Sequence, residues 1–76
     1  MKMVIVSVYD VAAQAYGRPV FAVSVGAAMR SFTDEVNRRG EDNTMYQHAE
    51  DFLLFELGVF DDSNGSCKML DVPSRS

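Results

Sequence analysis

The feature that most constrains the fold lies between Phe52 and Asp71, where two apolar runs flank a short turn that ends in Asn64-Gly65. Asn and Gly tolerate a positive φ, so this turn is a strong local signal for a β-hairpin. The runs on either side are rich in aromatic and branched residues, which favour strands. The pattern predicts that the C-terminal part of the chain is antiparallel sheet.

Two further strands are predicted in the N-terminal half. Branched residues recur from Lys2 to Tyr9, and a short apolar run from Val20 to Val23 follows Pro19. Pro19 has no N–H to donate, so it must begin a strand or lie on an edge.

A helix is predicted after Ser24, which is a suitable N-cap. Arg38-Arg39 would lie in the last turn, where cations suit the helix dipole, and Gly40 would end the helix. A single helical turn is expected at Met45–Ala49. The predicted helix has one apolar stripe, made of Val25, Ala28, Met29, Phe32 and Val36.

Together these elements predict an α+β fold, a small antiparallel β-sheet with one helix packed on it, in the order β-β-α-β-β. A chain of 76 residues is long enough for one small domain. We expect residues 1–72 to form that single domain and residues 73–76 to be a frayed C-terminal tail that starts at Pro73.

The third predicted strand is apolar on both faces, and a single helix covers only one of them. Simple alternation places Leu53, Phe55, Leu57 and Val59 on one face, and Phe52, Leu54 and Phe60 on the other. An exposed apolar face of this size is typical of an interface. The sequence therefore predicts a homo-oligomer, most simply a homodimer.

Composition and charge argue against several classes of protein. The net charge is −4 and the seven Lys and Arg residues are dispersed, which is unlike a strongly basic nucleic-acid-binding protein. No apolar run approaches the length of a membrane span, so we expect no membrane partner. Cys67 is the one cysteine, which excludes an intrachain disulfide and fits a reducing compartment.

No acid, base and nucleophile set is visible, so we expect neither an enzyme nor a cofactor. His48, Glu50 and Asp51 could join Asp10 or the Asp61-Asp62 pair around a divalent ion. Asp61 to Gly65 is more typical of a turn whose carboxylates bond their own backbone. We therefore predict no metal site.

The chain resembles the small non-structural protein of gokushoviruses, the single-stranded DNA microviruses of bacteria. The similarity covers about nine-tenths of the chain, and the order and spacing of its short pieces make it fairly specific. It is carried by Val8-Tyr9-Asp10, Ala15-Tyr16, Pro19-Val20-Phe21, Ala27 to Asn37, Tyr46 to Phe52, and Phe55 to Asp62.

This resemblance implies a phage accessory protein in the cytoplasm of the host bacterium. It implies binding to single-stranded viral DNA during replication or genome packaging. The alternative is an adaptor that contacts phage or host replication or assembly proteins without touching DNA.

Single-stranded DNA binding needs exposed aromatic faces for base stacking and nearby cations for phosphates. Tyr16-Gly17-Arg18 is the best local pairing, because an aromatic residue and an arginine share one predicted loop. The predicted nucleic-acid-binding residues are Tyr16, Arg18, Arg38, Arg39 and Lys2. If the cations are scattered over the surface, the adaptor alternative is favoured.

Overall fold

The computed structural model describes all 76 residues as a small α+β domain with a curled antiparallel sheet. The strands are β1 (Lys2–Asp10), β2 (Ala15–Tyr16), β3 (Val20–Ala22), β4 (Phe52–Asp61) and β5 (Ser66–Arg75). The helices are α1 (Val25–Asn37), α2 (Thr44–Gln47) and a 3-10 turn (Ala49–Asp51). The predicted β-β-α-β-β order is thus nearly observed. The two-residue β2 and the division of the predicted turn into α2 and the 3-10 turn are additional.

The sheet is entirely antiparallel, and β1 and β4 form its centre. β5 pairs with the outer edge of β4, and β2 and β3 pair one after the other with the outer edge of β1. A turn joins β1 to β2, in which the Asp10 carboxylate accepts hydrogen bonds from the N–H groups of Ala12 and Ala13. Gln14, at its end, has a φ of 54°.

The core lies between α1 and the sheet and is small. Val6, Ala28 and Leu54 are its fully buried members, and Phe32 packs against them. The predicted helix stripe is confirmed at Ala28 and Phe32, whereas Met29 turns outward with 44% of its surface exposed. We call the side of the sheet that carries this core the helix face and the opposite side the open face.

A β-bulge in β4 changes which residues share a face. Ile5 pairs with Gly58, but Val6 pairs with Glu56, so Leu57 has no partner on β1. Simple alternation is therefore wrong for this strand, because one extra residue reverses its phase. Val59 joins Leu54 on the helix face, and Phe60 joins Phe55 on the open face.

The C-terminal segment does not fray where the sequence predicts it. Ser74 and Arg75 pair with Glu56 and Phe55, and the N–H of Ser76 donates to the carbonyl of Leu54 at 3.0 Å. Pro73 does not end the strand. Residues 70–73 loop out opposite Leu57, and the pairing of β5 with β4 resumes at Ser74.

The end of α1 also differs from the expectation. The helix stops at Asn37, Arg38 is its extended C-cap, and Gly40 does not adopt a left-handed conformation. Instead the buried amide of Asn43 donates to the carbonyls of Glu35 and Arg38, both at 2.8 Å. A side chain from the following loop thus satisfies carbonyls that a left-handed glycine would otherwise serve.

The predicted hairpin is confirmed. Gly65 has a φ of 74° and its N–H donates to the carbonyl of Asp61 at 2.8 Å. The Asp61 carboxylate accepts from the hydroxyl and the N–H of Ser63, which is the local turn chemistry expected of this segment. None of the helices combines the length and the hydropathy that a membrane span requires.

Candidate nucleic-acid interface

Three aromatic rings meet on the open face near the C-terminal end of β1. Tyr9 and Tyr16 are paired across β1 and β2, and their ring centroids lie 4.7 Å apart. Phe55 approaches Tyr16 edge-on at 5.6 Å and Tyr9 at 6.1 Å. Tyr16 keeps 44% of its surface exposed, so the cluster presents a ring to solvent. We call these three residues the aromatic cluster.

A second aromatic pair lies at the other end of the open face. Phe21 on β3 and Phe60 on β4 have ring centroids 5.4 Å apart, although β1 runs between their strands. Strands two positions apart are separated by about 9–10 Å, so the rings lean towards each other over β1. The same leaning joins Tyr16 to Phe55. Ser7 and Ile5 lie under these two bridges and are almost completely buried.

The residues of the open face that have a partner on a neighbouring strand include no carboxylate; Asp71 belongs to the part of β5 that has no partner. Directly paired residues share a face and neighbouring residues alternate, so the register identifies its members. None of them is Asp or Glu, although the chain has eleven such residues. Arg75 is the one Lys or Arg among them, since it pairs with Phe55. The members are Met3, Ile5, Ser7, Tyr9, Tyr16, Phe21, Leu53, Phe55, Gly58, Phe60, Cys67, Met69 and Arg75.

Arg75 was not among the residues predicted from the sequence. It belongs to the segment expected to fray, and only the resumed pairing of β5 brings it beside Phe55. It makes no ion pair. No local sequence pattern predicts this position, because the pairing of Arg75 follows from an irregular register between β4 and β5.

Lys2 is far from the aromatic cluster. It pairs with Asp61, which places it on the helix face at the hairpin end of the sheet. Tyr9 lies seven positions further along β1, at a distance of about 23 Å. Lys2 lines a surface pocket together with Lys68, Asp61 and Ser66.

Arg38 is engaged within the protein. Its Nη2 lies 2.8 Å from Oε1 of Glu35, and its Nη1 lies 4.0 Å from a carboxylate oxygen of Asp42. The hydrogen bond from Arg38 lowers the pKa of Glu35 and raises that of Arg38 itself. Two carboxylates therefore compete with any phosphate for this guanidinium.

Arg18 and Arg39 are exposed and make no ion pair. Arg18 lies on the edge of the sheet between Tyr16 and β3, so the predicted Tyr16-Gly17-Arg18 grouping stays together. The backbone of Gly17, the middle residue of this grouping, makes two hydrogen bonds to β1. The N–H of Gly17 donates to the carbonyl of Val8 at 2.7 Å, and the hydroxyl of Ser7 donates to the carbonyl of Gly17 at 2.7 Å. Arg39 follows the C-cap of α1, so the five predicted residues do not form one surface.

His48, Glu50 and Asp51 do come together in the segment before β4. Their ligand atoms lie within 4.8 Å of one another. Asp10 and the Asp61-Asp62 pair do not join them. All three residues belong to an irregular, largely exposed turn, where clustered acidic groups are common without an ion.

A sequence model of the family described as Phage ORF5 protein matches residues 3–75. No curated protein and no solved structure matches the chain at a significant level. The match spans both the open face and the helix face, together with every strand and helix of the fold.

Proposed function

This chain belongs to the family of phage ORF5 proteins, and we propose that it is a non-catalytic accessory protein that binds single-stranded DNA on its open face. Membership of a phage family agrees with the resemblance found in the sequence, and the narrower origin in gokushoviruses remains a prediction. The observation that carries the proposal is the distribution of charge. In this acidic chain, none of the strand-paired residues on the face that holds the exposed aromatic cluster is Asp or Glu.

Unpaired bases stack on aromatic rings, and cations nearby neutralise their phosphates. Tyr16 is the ring most available for stacking, because Tyr9 and Phe55 support it from two sides and fix its position. Arg75 beside Phe55 and Arg18 on the adjoining edge are the cations closest to this cluster along the sheet. Arg38 and Lys2 have no part in this proposed surface.

Few cations imply weak and mildly salt-sensitive binding. Each phosphate contact contributes about 0.7 to the slope of affinity against salt for a single strand. Two contacts, from Arg18 and Arg75, predict a slope of roughly −1.4. Stacking on Tyr16 would contribute about 1–3 kcal/mol, independently of salt.

Fluorescence anisotropy with a labelled single-stranded oligonucleotide at two salt concentrations tests the proposal. Tyr16→Ala should weaken binding by the stacking contribution, whereas Tyr46→Ala should leave it unchanged. Tyr46 is a matched control, because it is 39% exposed but belongs to α2, beside the helix face. Equal losses in the two variants would contradict the assignment of the open face.

The scattered positions of Lys2, Arg38 and Arg39 favour a second candidate, an adaptor for phage or host replication or assembly proteins. In that case the open face would bind protein and no oligonucleotide would bind. Absence of binding at about 100 μM protein, weaker than ordinary non-specific affinity, would replace the DNA proposal with the adaptor.

A further inference from the structure

We infer that a second copy of this chain covers the hairpin half of the open face, which we call the methionine patch: Met3, Phe21, Phe60, Cys67 and Met69. This half is distinct from the aromatic cluster at the other end of the sheet. The inference concerns self-association and does not depend on DNA binding.

The chain exposes more surface than a monomer of its mass is expected to expose, which is consistent with an interface that is uncovered in the single chain. A monomer of 8.4 kDa is expected to expose about 4,600 Å². This chain exposes 5338 Å², and only seven of its 76 residues are buried. The excess, about 700 Å², is close to the roughly 800 Å² that each partner contributes to a standard protein interface.

The methionine patch is the apolar part of the open face. Phe21 and Met69 are more than half exposed, at 56% and 57%. No Lys, Arg, Asp or Glu belongs to the patch, and it lacks the tyrosine hydroxyls and the arginine found at the other end. Methionine side chains are flexible and adapt readily to a partner surface.

Charge identifies a second copy as a suitable partner. Two copies with a net charge of −4 each repel one another wherever their carboxylates would meet. None of the residues of the methionine patch is charged, so two copies can approach there without opposing like charges. A two-fold axis through the patch would bring the same apolar residues together from both sides.

The edges of the sheet are less suited to association. β5 is interrupted where residues 70–73 loop out, and Pro73 has no N–H to offer a neighbouring strand. The opposite edge consists of two short strands with Pro19 between them. Interruptions and prolines of this kind oppose edge-to-edge pairing, which leaves the face as the surface for contact.

Sedimentation velocity in the absence of DNA tests the inference. The native chain at micromolar concentration should sediment at twice its monomer mass. Met69→Glu should raise the dimer dissociation constant at least about 100-fold, because each carboxylate would be buried against the other copy. Met29→Glu is the matched control and should leave the dissociation constant unchanged, since Met29 is 44% exposed on α1.

A second measurement needs no variant in the patch. Cys67 is the one cysteine, so the rate of maleimide labelling reports directly on its exposure. Labelling should slow as protein concentration rises through the dissociation constant. A monomer with labelling independent of concentration, or a dimer disrupted equally by both methionine variants, would overturn the inference.

Discussion

Met69 occupies the space into which a side chain at Gly58 would project. A Cβ at Gly58 would lie 2.9 Å from Sδ of Met69 and 2.5 Å from the carbonyl oxygen of Lys68. Gly58 directly follows the bulged Leu57, so the absence of a side chain lets β5 pack closely where the register changes. This contact links the bulge to the methionine patch.

Gly58→Ala should therefore lower the free energy of unfolding by about 1–3 kcal/mol, the usual cost of overpacking. The obstacle is backbone as well as side chain, so rotation of Met69 alone cannot relieve it. Gly26→Ala is a useful control. The nearest atom to its added Cβ would be Ser24 Oγ at 3.9 Å, and alanine in a helix gains about 0.5–1 kcal/mol. The midpoints of thermal and urea denaturation should fall for Gly58→Ala and rise for Gly26→Ala.

Asn43→Ala should destabilise the fold by about 2–3 kcal/mol. The change removes the two bonds donated to the end of α1 and the bond that Asn43 Oδ1 accepts from the N–H of Met45. Gln47→Ala is the control, because its amide makes an exposed bond to the carbonyl of Glu41. Urea denaturation of the two variants is the measurement. Similar midpoints would mean that Asn43 does not hold the helix end.

Arg75→Ala and Arg38→Ala should differ in their effect on DNA binding. Arg75 lies on the open face without an ion pair, so its loss should reduce the salt slope by about 0.7. Arg38 is neutralised by Glu35 and Asp42 and should have little effect. Anisotropy titrations at several salt concentrations decide between them. A larger loss from Arg38→Ala would show that the helix end, not the open face, contacts phosphate.

Acid should weaken the hairpin through Asp61. Hydrogen bonds from the Ser63 hydroxyl and N–H hold the pKa of Asp61 below its ordinary value of 3.8. A lowered pKa contributes stability above the ordinary value, and this stability is lost as pH falls through the folded-state pKa. Ser63→Ala removes the larger of these bonds, so it should raise the pKa of Asp61. Carbon-detected NMR titration of the carboxyl group measures this; an unchanged titration would contradict the assignment.

Local chemistry in the sequence determined several elements of this protein. Asn64-Gly65 specified the hairpin, because Gly65 adopts a positive φ that few other residues tolerate and Asn64 Oδ1 accepts a hydrogen bond from the N–H of Ser66 at 2.9 Å. Ser24 specified the start of α1, where its Oγ accepts from the N–H of Ala27 at 3.0 Å. The residues Tyr16-Gly17-Arg18 also lie together in the structure, since they are adjacent in the chain.

Tertiary structure alone decided the arrangement of the two faces. The phase of β4 depends on a bulge that is set by contacts between strands, so simple alternation misplaced Val59 and Phe60. The irregular register between β4 and β5 places Arg75 in the sheet beside Phe55, and this position makes it a candidate for DNA contact. Asn43 likewise closes a helix that ends several residues earlier. Such features depend on contacts between residues that are distant in the chain, and a local sequence pattern does not determine which distant residues will be in contact.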